Sequence, residues 1–136
     1  MHQFIPLHSR IHLLNDFSIN ENSACYIKRD DELSSGISGT KCRKYSSLIP
    51  FLQKDSYQHI YVIGSTHSNN VLAAMQLLRE YGFNITAILL KPHHSPLKGN
   101  FKLSNLFLKD KDIIWLDRKD WPDVENMAHK LAQEHS

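Results

Sequence analysis

From residue 59 onward, apolar segments of strand length alternate with segments that have the periodicity of amphipathic helices. The three strand candidates, residues 59–64, 84–90 and 112–116, are nearly continuous apolar runs rather than alternating ones. Such runs are typical of a parallel sheet that is buried on both faces and whose strands are joined by crossover helices. The pattern therefore predicts an α/β fold with a parallel sheet of βαβ units, in the order βαβαβα.

The segments that follow the three strand candidates carry helix signals. Residues 65–69 supply N-cap residues for a helix that runs to about Tyr81, and Gly82 follows at the position where helices commonly end. A second helix is expected after Gly99 and a third near Trp121. The residues expected to face the core at helical spacing are Val71, Ala74, Met75 and Leu78 in the first helix, Leu103, Leu106 and Phe107 in the second, and Trp121, Val124, Met127, Ala128 and Leu131 in the third.

The N-terminal part of the chain is less regular. Residues 24–28 are a short strand candidate, and residues 11–14 favour a helical turn. A Ser/Gly-rich loop at 34–38 leads into a basic helix start at 39–44, with the sequence Gly-Thr-Lys-Cys-Arg-Lys. Pro50 either kinks this helix or opens a second short helix. The stripe expected to be buried comprises Cys42, Tyr45, Leu48, Ile49 and Leu52.

Charge and composition argue against several classes of function. The length of 136 residues is typical of a single domain. The 16 Lys and Arg residues and the 14 Asp and Glu residues give a net charge of +2. The basic residues are scattered, so neither nucleic acid nor an acidic membrane surface is an expected partner. No apolar run approaches the roughly 18 residues of a membrane span, and no secretory leader stands out, so a cytoplasmic protein with reduced thiols at Cys25 and Cys42 is expected. The adjacent pair His93 and His94 makes a poor metal site, and no metal is expected.

Two loops that precede helix starts are candidates for anion binding. At 39–44, a glycine allows close approach of the backbone to a ligand, and Lys41 and Lys44 share one helix face. Residues 64–69, Gly-Ser-Thr-His-Ser-Asn, follow the first regular strand, at the edge where parallel sheets collect ligands. The ordinary interpretation of each loop is a capped surface helix with solvated side chains. Neither loop has a nucleotide-binding motif.

Lys41 has one further chemical use. It stands at a loop-to-helix junction, beside the cations Arg43 and Lys44. A neutral lysine can form a Schiff base with an aldehyde, and pyridoxal phosphate is the aldehyde cofactor that also carries a phosphate.

Several segments resemble the N-terminal part of 1-aminocyclopropane-1-carboxylate deaminases and D-cysteine desulfhydrases. They occur in the same order and cover essentially the whole chain. They are residues 26–31 (Tyr-Ile-Lys-Arg-Asp-Asp), 38–44 with 48–50 (Leu-Ile-Pro), 64–69, and 99–100 (Gly-Asn). The resemblance implies a pyridoxal-phosphate-dependent enzyme with a tryptophan-synthase-β-like fold.

The same resemblance implies a role for each matching residue. Lys41 forms the Schiff base with pyridoxal phosphate, and Lys44 contacts the cofactor's phosphate. Ser68 lies beside the substrate as a nucleophile or proton relay, and Asn69 hydrogen-bonds the cofactor's 3′-oxygen. These roles suit the cofactor, because its ring serves as an electron sink while the protein orients it.

The chain also departs from the family pattern. Thr40 stands where the family usually has Asn, His67 stands where it has Gln, and residues 71–72 replace a more polar pair. Family members are more than twice as long, and their C-terminal part supplies a Gly-rich phosphate loop, the residue facing the pyridine nitrogen and a tyrosine near the substrate. The resemblance thus implies one incomplete domain over residues 1–136: an arm at 1–58 with the Schiff-base lysine, and a βαβαβα unit at 59–136.

The activity expected from the resemblance is deamination of a small amino acid, of 1-aminocyclopropane-1-carboxylate or D-cysteine type, to ammonia and a 2-oxo acid. It is expected to be weak or absent in this chain alone, and a C-terminal half or a second copy is the expected protein partner. Two alternatives stay open. One is a non-catalytic α/β remnant that binds an anion or a partner chain. The other is a flavodoxin-like regulatory or nucleotide-binding domain, in which binding depends on residues 65–69 and not on Lys41.

Overall fold

The computed structural model describes residues 8–15, 20, 22–33, 37–93 and 99–134. Residues 34–36 of the Ser/Gly-rich loop and His94 of the histidine pair lie outside the described residues. The strands are β1 (Ile11–Leu13), β2 (Tyr26–Lys28), β3 (His59–Ser65), β4 (Asn84–Leu90) and β5 (Ile113–Leu116). The α-helices are α1 (Cys42–Lys54), α2 (Asn69–Glu80), α3 (Asn100–Ser104) and α4 (Val124–Glu134).

A three-stranded parallel sheet forms the centre of the fold, in the order β3-β4-β5. Ile60 lies opposite Ile85 at the β3–β4 junction, and Leu90 lies opposite Leu116 at the β4–β5 junction. The predicted α/β fold with a parallel sheet of βαβ units is confirmed. The third strand begins one residue later than expected, because Asp112 belongs to a preceding 3-10 turn.

The sheet separates two hydrophobic cores, one on each face. Val62 and Ala87 pack into the larger core together with residues of α1, α2 and α3. Ile88 and Leu116 pack into the smaller core against α4. Because both faces are covered, the strands are apolar along most of their length, as their sequence indicated. All residues of the stripe predicted for the last helix contact the smaller core, although α4 begins at Val124 and Trp121 lies in the 3-10 helix before it.

Helix α2 runs through the middle of the larger core. All eight residues from 71 to 78 are buried, although the sequence predicted only one buried face. The difference arises because α2 packs against β3 and β4 and also against α1 and α3. Gln76, the polar residue in this stretch, accepts a hydrogen bond from the backbone N–H of Ile37 (2.8 Å) and donates to Glu80 (2.9 Å). A buried polar side chain is tolerated when it is paired in this way.

The structure corrects one prediction for the N-terminal part and excludes one of the two alternatives at Pro50. Residues 11–13 are a strand rather than a helical turn, and β1 pairs antiparallel with β2 so that Leu13 lies opposite Tyr26. Helix α1 continues through Pro50, so no second short helix begins there. Four of the five residues predicted to be buried on α1 are buried, and Leu48 packs against the same core while partly exposed.

The helix predicted after Gly99 is shorter than expected. Helix α3 is five residues long and buries Phe101 and Ser104. Leu103 and Leu106, which were expected to face the core, are 38% and 76% exposed. Phe107, the third residue of the predicted stripe, lies beyond the end of α3 and packs against the larger core while partly buried. Among the described residues, no helix has the length and apolar character of a membrane span.

Candidate functional site

Three segments that are distant in the sequence meet at the carboxyl end of β3. The first is the loop that leaves β3 and begins α2. The second is the start of α1, where Nζ of Lys44 donates to Oδ1 of Asn70 over 3.1 Å. The third is the start of α3, where Nδ2 of Asn100 donates to Oδ1 of Asn69 over 2.6 Å and to the carbonyl oxygen of His67 over 2.9 Å. The fold therefore places the candidate segments at 39–44, 64–69 and 99–100 side by side.

Lys41 ends a 3-10 turn, Gly39–Lys41, that leads directly into α1. The turn packs against α2, and the Lys41 side chain is half-buried. Among residues 8–15, 22–33, 37–93 and 99–134, no hydrogen bond or ion pair to its amine occurs. In this respect Lys41 differs from its neighbours Arg43 and Lys44, which both have partners.

The backbone just before Lys41 is anchored to the larger core. The N–H of Ile37 is bound by the buried Gln76 of α2. Ser38 and Cys42 are both buried, and Oγ of Ser38 lies 3.1 Å from Sγ of Cys42. These contacts on either side fix the turn that carries Lys41. Cys42 is thus a packing residue, and it is a free thiol as expected.

Arg43 serves the N-terminal hairpin rather than the loop after β3. Its Nε and Nη2 atoms donate to the two carboxylate oxygens of Asp30, over 2.6 and 2.8 Å. Ser9 donates a third hydrogen bond to the same carboxylate, over 2.6 Å. The bonds from Arg43 and then Ser9 hold the pKa of Asp30 well below its usual range. The segment 26–31 therefore joins β2 to α1, and Arg43's charge is balanced locally.

Lys44 and Tyr45 both reach the first turn of α2. Besides the Lys44–Asn70 hydrogen bond, the Tyr45 hydroxyl lies 3.4 Å from the carbonyl oxygen of Asn70, to which it donates. Burial raises the pKa of Tyr45, so its phenol stays protonated at neutral pH. Asn70 was not singled out from the sequence. The available signal was a polar residue in the first turn of a helix that directly follows a Ser-Asn pair.

Ser68 is the N-cap of α2. Its backbone is extended, and its Oγ accepts a hydrogen bond from the N–H of Val71 over 3.3 Å. This is the ordinary capping role of a serine, and it leaves the hydroxyl proton unused by that bond. The half-buried Ser68 side chain can therefore cap the helix and still donate a hydrogen bond.

Asn69 is oriented by Asn100. Because Asn100 donates to Oδ1 of Asn69, the acceptor end of the Asn69 amide is occupied. The NH2 end is then the part that remains for a ligand, and it is a donor. Asn69 is exposed, as a residue that binds a ligand from outside the core must be. Asn100 was noted in the sequence only as a helix start, and its role as a positioning residue is seen in the structure.

Gly64 brings the end of β3 close to α2. A Cβ at this position would lie 2.3 Å from Cγ2 of Val71, well inside van der Waals contact. Only glycine allows this close approach of strand to helix, and the approach sets where Ser68 and Asn69 lie. Gly64 is therefore required for packing.

Comparisons with known proteins agree with these motifs. No family model matches the chain. Proteins named "Putative 1-aminocyclopropane-1-carboxylate deaminase" are 28% identical in Pyrococcus horikoshii, over 132 residues, and 28% identical in Pyrococcus abyssi, over 130 residues. The resemblance to 1-aminocyclopropane-1-carboxylate deaminases is confirmed. The P. horikoshii match covers 97% of this chain and 39% of its relative, so the chain spans about two-fifths of the relative's length.

A solved structure supports the same conclusion at the level of the fold. The crystal structure of an ACC deaminase homologue matches with a TM-score of 0.73 and 24% identity, covering 98% of this chain and 41% of that chain. The chain thus has the fold of a portion of a 1-aminocyclopropane-1-carboxylate deaminase homologue. The Pyrococcus furiosus relative of the same name, 26% identical over 132 residues, has the same partial coverage.

The candidate site suits a ligand with negative charge. The first N–H groups of α2, at Asn69 and Asn70, have no carbonyl partner within the helix. The positive end of the helix dipole and the ammonium of Lys44 lie together at Asn70. Among the described residues, no cluster of His, Cys, Asp and Glu that could hold a metal ion is found.

Proposed function

We propose that this chain carries the cofactor-bearing lysine of a pyridoxal-phosphate-dependent deaminase that acts on a small amino acid. The observation that supports the proposal most directly is the meeting of three motif segments at one helix N-terminus. The ordinary alternative, a set of unrelated capped surface helices, does not require those segments to touch. The similarity to 1-aminocyclopropane-1-carboxylate deaminases supports the same interpretation.

The residues at the site suit this cofactor chemically. Lys41 offers the primary amine that holds the cofactor's aldehyde carbon. Lys44 and the N-terminus of α2 supply positive charge for anionic groups of the cofactor. The NH2 group of Asn69, left free by Asn100, is a donor for the ring's 3′-oxygen. When bound, pyridoxal phosphate supplies an electron sink for the amino acid's Cα.

The protein's own part in the reaction is to orient the cofactor and to move protons. Ser68 is the candidate for proton transfer to and from the substrate, because its hydroxyl proton is not used by its bond to Val71. Tyr45 is held on Asn70 with a raised pKa, so it positions the first turn of α2 rather than exchanging protons at neutral pH. The proposed substrates are small amino acids of the 1-aminocyclopropane-1-carboxylate or D-cysteine type.

The decisive experiment is chemical trapping of the cofactor. The chain is mixed with pyridoxal phosphate, its visible spectrum is recorded, and the mixture is reduced with borohydride and digested for mass spectrometry. We expect a visible band and a reduced adduct on Lys41. Lys41→Ala should abolish both, whereas Lys54→Ala, at the far end of the helix that follows Lys41, should leave them unchanged. Adducts spread evenly over surface lysines would contradict the proposal.

The two alternatives give different results in the same experiment. A non-catalytic remnant that binds anions would be saturated by pyridoxal phosphate without a Lys41-specific adduct. A flavodoxin-like domain would lose binding on substitution of residues 65–69 and keep it in Lys41→Ala. The Lys41 variant therefore separates the proposed function from both alternatives, and substitution of residues 65–69 is the further test for the flavodoxin-like domain.

Turnover by this chain alone is expected to be weak or absent. It spans about two-fifths of the relatives' length, and we propose that a polypeptide equivalent to the rest supplies further cofactor and substrate contacts. Ammonia release from 1-aminocyclopropane-1-carboxylate and from D-cysteine, measured beside the full-length P. horikoshii relative, tests this. Turnover equal to that of the full-length protein would refute the expectation.

A further inference from the structure

A cleft lies at the opposite edge of the sheet from the candidate site, where β3 and β4 begin. It has a volume of about 490 Å³ and is bordered by the starts of these strands, the end of α2 and the turn before β5. This volume lies within the range of small-molecule sites, roughly 300–1,000 Å³. The cofactor site proposed above lies at the carboxyl end of β3, so the two sites are on different edges of the sheet.

The cleft has an excess of positive charge. Arg79, Lys109 and Lys111 line it together with a single carboxylate, that of Asp112. Three cations and one anion leave an excess of two positive charges. Nη2 of Arg79 donates to Oδ2 of Asp112 over 2.9 Å, and no ion pair to Lys109 or Lys111 occurs among the described residues. The charge of the cleft therefore favours a dianion.

Arg79 also holds a hydrogen-bond donor that the described part of the chain does not satisfy. Its Nε atom is buried and has no hydrogen-bond partner among these residues. Buried N–H groups almost always have a partner, so an unmet one points to an acceptor beyond the described residues. The guanidinium is held in place, because Asp112 also accepts from the backbone N–H of Lys109 over 3.3 Å. The Arg79 guanidinium is thus positioned in the cleft by contacts within the protein itself.

We propose that this cleft binds the phosphate group of a small phosphorylated molecule. A guanidinium with two nearby ammonium groups is the donor set that proteins use for phosphate, and the excess charge matches a phosphate dianion. The cleft is larger than a phosphate ion, and Ile85 and Phe107 supply an apolar wall for an organic group. This inference is independent of the proposed deaminase function, because it involves none of the residues at the other edge.

Phenyl phosphate is a suitable probe, because it combines a phosphate dianion with a small apolar group. It is titrated at constant ionic strength into the ¹⁵N-labelled chain, and the backbone amide shifts are followed. We expect saturable shifts centred on residues 59, 79, 84 and 109–112. Phenyl sulfate, with one charge fewer, should bind several-fold more weakly. Shifts that do not saturate, or that centre on residues 41–44 and 65–70, would overturn the proposal.

Matched variants complete the test. Lys109→Met combined with Lys111→Met should weaken binding by about tenfold or more, since two charge-assisted contacts are lost. Both lysines are exposed, so the fold should be kept. Lys119→Met combined with Lys130→Met removes the same charge elsewhere and should change the affinity by less than about twofold. Equal loss in the two double variants would mean that only net charge matters, and the proposed site would then be refuted.

Discussion

Asn69 and Asn100 fix each other at the centre of the candidate site. The position of an asparagine does not by itself fix the orientation of its amide, because an isolated exposed amide can turn either its donor end or its acceptor end toward a ligand. The 2.6 Å bond from Nδ2 of Asn100 to Oδ1 of Asn69 removes that freedom and leaves a donor. Lys44 has a comparable relation to Asn70. The orientation of a side chain at this site is therefore fixed by a hydrogen bond from another segment of the chain.

Substitution of Asn100 tests this positioning role. Asn100→Ala removes two hydrogen bonds, to Asn69 and to the carbonyl oxygen of His67. We expect the affinity for pyridoxal phosphate to fall by roughly threefold to tenfold, since one net hydrogen bond is worth about 0.5–1.5 kcal/mol. The measurement is a titration of the visible band. Asn105→Ala, exposed just beyond the end of α3, is the control and should bind like the parent chain.

The junction of β3 and α2 is the element on which the site depends most. The strand delivers residues 65–69 to its carboxyl end, and the helix is anchored on both sides by the larger core. Gly64 sets the distance between the two elements, because Val71 occupies the space that a side chain would need. The close packing of β3 against α2 at Gly64 and Val71 thus determines the position of Ser68 and Asn69.

Gly64→Ala is expected to destabilise the protein and displace the start of α2. The added methyl group overlaps Cγ2 of Val71, and overpacking of this kind costs about 1–3 kcal/mol in the free energy of unfolding. Urea denaturation measures the loss. The double variant Gly64→Ala, Val71→Ala makes room for the methyl group and should lose less than the sum of the two single variants. Simple additivity would show that the contact with Val71 is not the cause.

The hairpin of β1 and β2 is joined to α1 by charge, and this junction should weaken in acid. Arg43 and Ser9 hold the pKa of Asp30 below its unfolded value, so the stabilisation is present above about pH 4 and declines as the pH falls through the folded-state pKa. Asp31 and Glu32 have pKa values lowered in the same direction, by Arg29 and Arg10.

Denaturation of Asp30→Asn at a series of pH values tests this junction. The variant should be less stable than the parent chain at neutral pH, and the difference should shrink as the pH falls from about 5 toward 2. Asp123→Asn, far from the hairpin in sequence, is the control and should keep the pH dependence of the parent chain. A difference between Asp30→Asn and the parent that is constant with pH would contradict the ion-pair explanation.

At the scale of the whole molecule, long periodic segments were predictable and irregular ones were not. The sheet, α2 and α4 followed from apolar runs and helical spacing. The strand at 11–13 and the early end of α3 did not, because three-residue strands and single-turn helices depend on tertiary partners more than on their own sequence. Two of the site segments, 39–44 and 64–69, were candidates from their residues alone, and the family resemblance supplied the roles of individual residues. The contacts that Lys44 and Tyr45 make with Asn70 are seen only in the fold, because they join residues that are about 25 positions apart.

The exposed surface of the hairpin predicts self-association. Ile11, Leu13 and Tyr26 lie on one face and are 65%, 50% and 62% exposed. Exposed apolar patches of this kind tend to associate, and the association should persist at high salt. We expect light scattering to show dimers or larger species at high protein concentration. Leu13→Ser combined with Tyr26→Ser should reduce them, whereas Leu106→Ser on the α3 side should not. A monomeric parent chain at high concentration would refute this.

The bonds that assemble the candidate site also determine the stage of folding at which the site forms. Ser68 caps α2 through a partner three residues away, so that contact can form early and locally. The Lys44–Asn70 and Asn69–Asn100 bonds join residues 26 and 31 positions apart, and such contacts wait for loop closure. A ligand bound by the residues that these bonds position makes all of its contacts only when the protein is almost completely folded. Ligand binding should therefore act on the unfolding rate, lengthening the lifetime of the native state while leaving the folding rate almost unchanged.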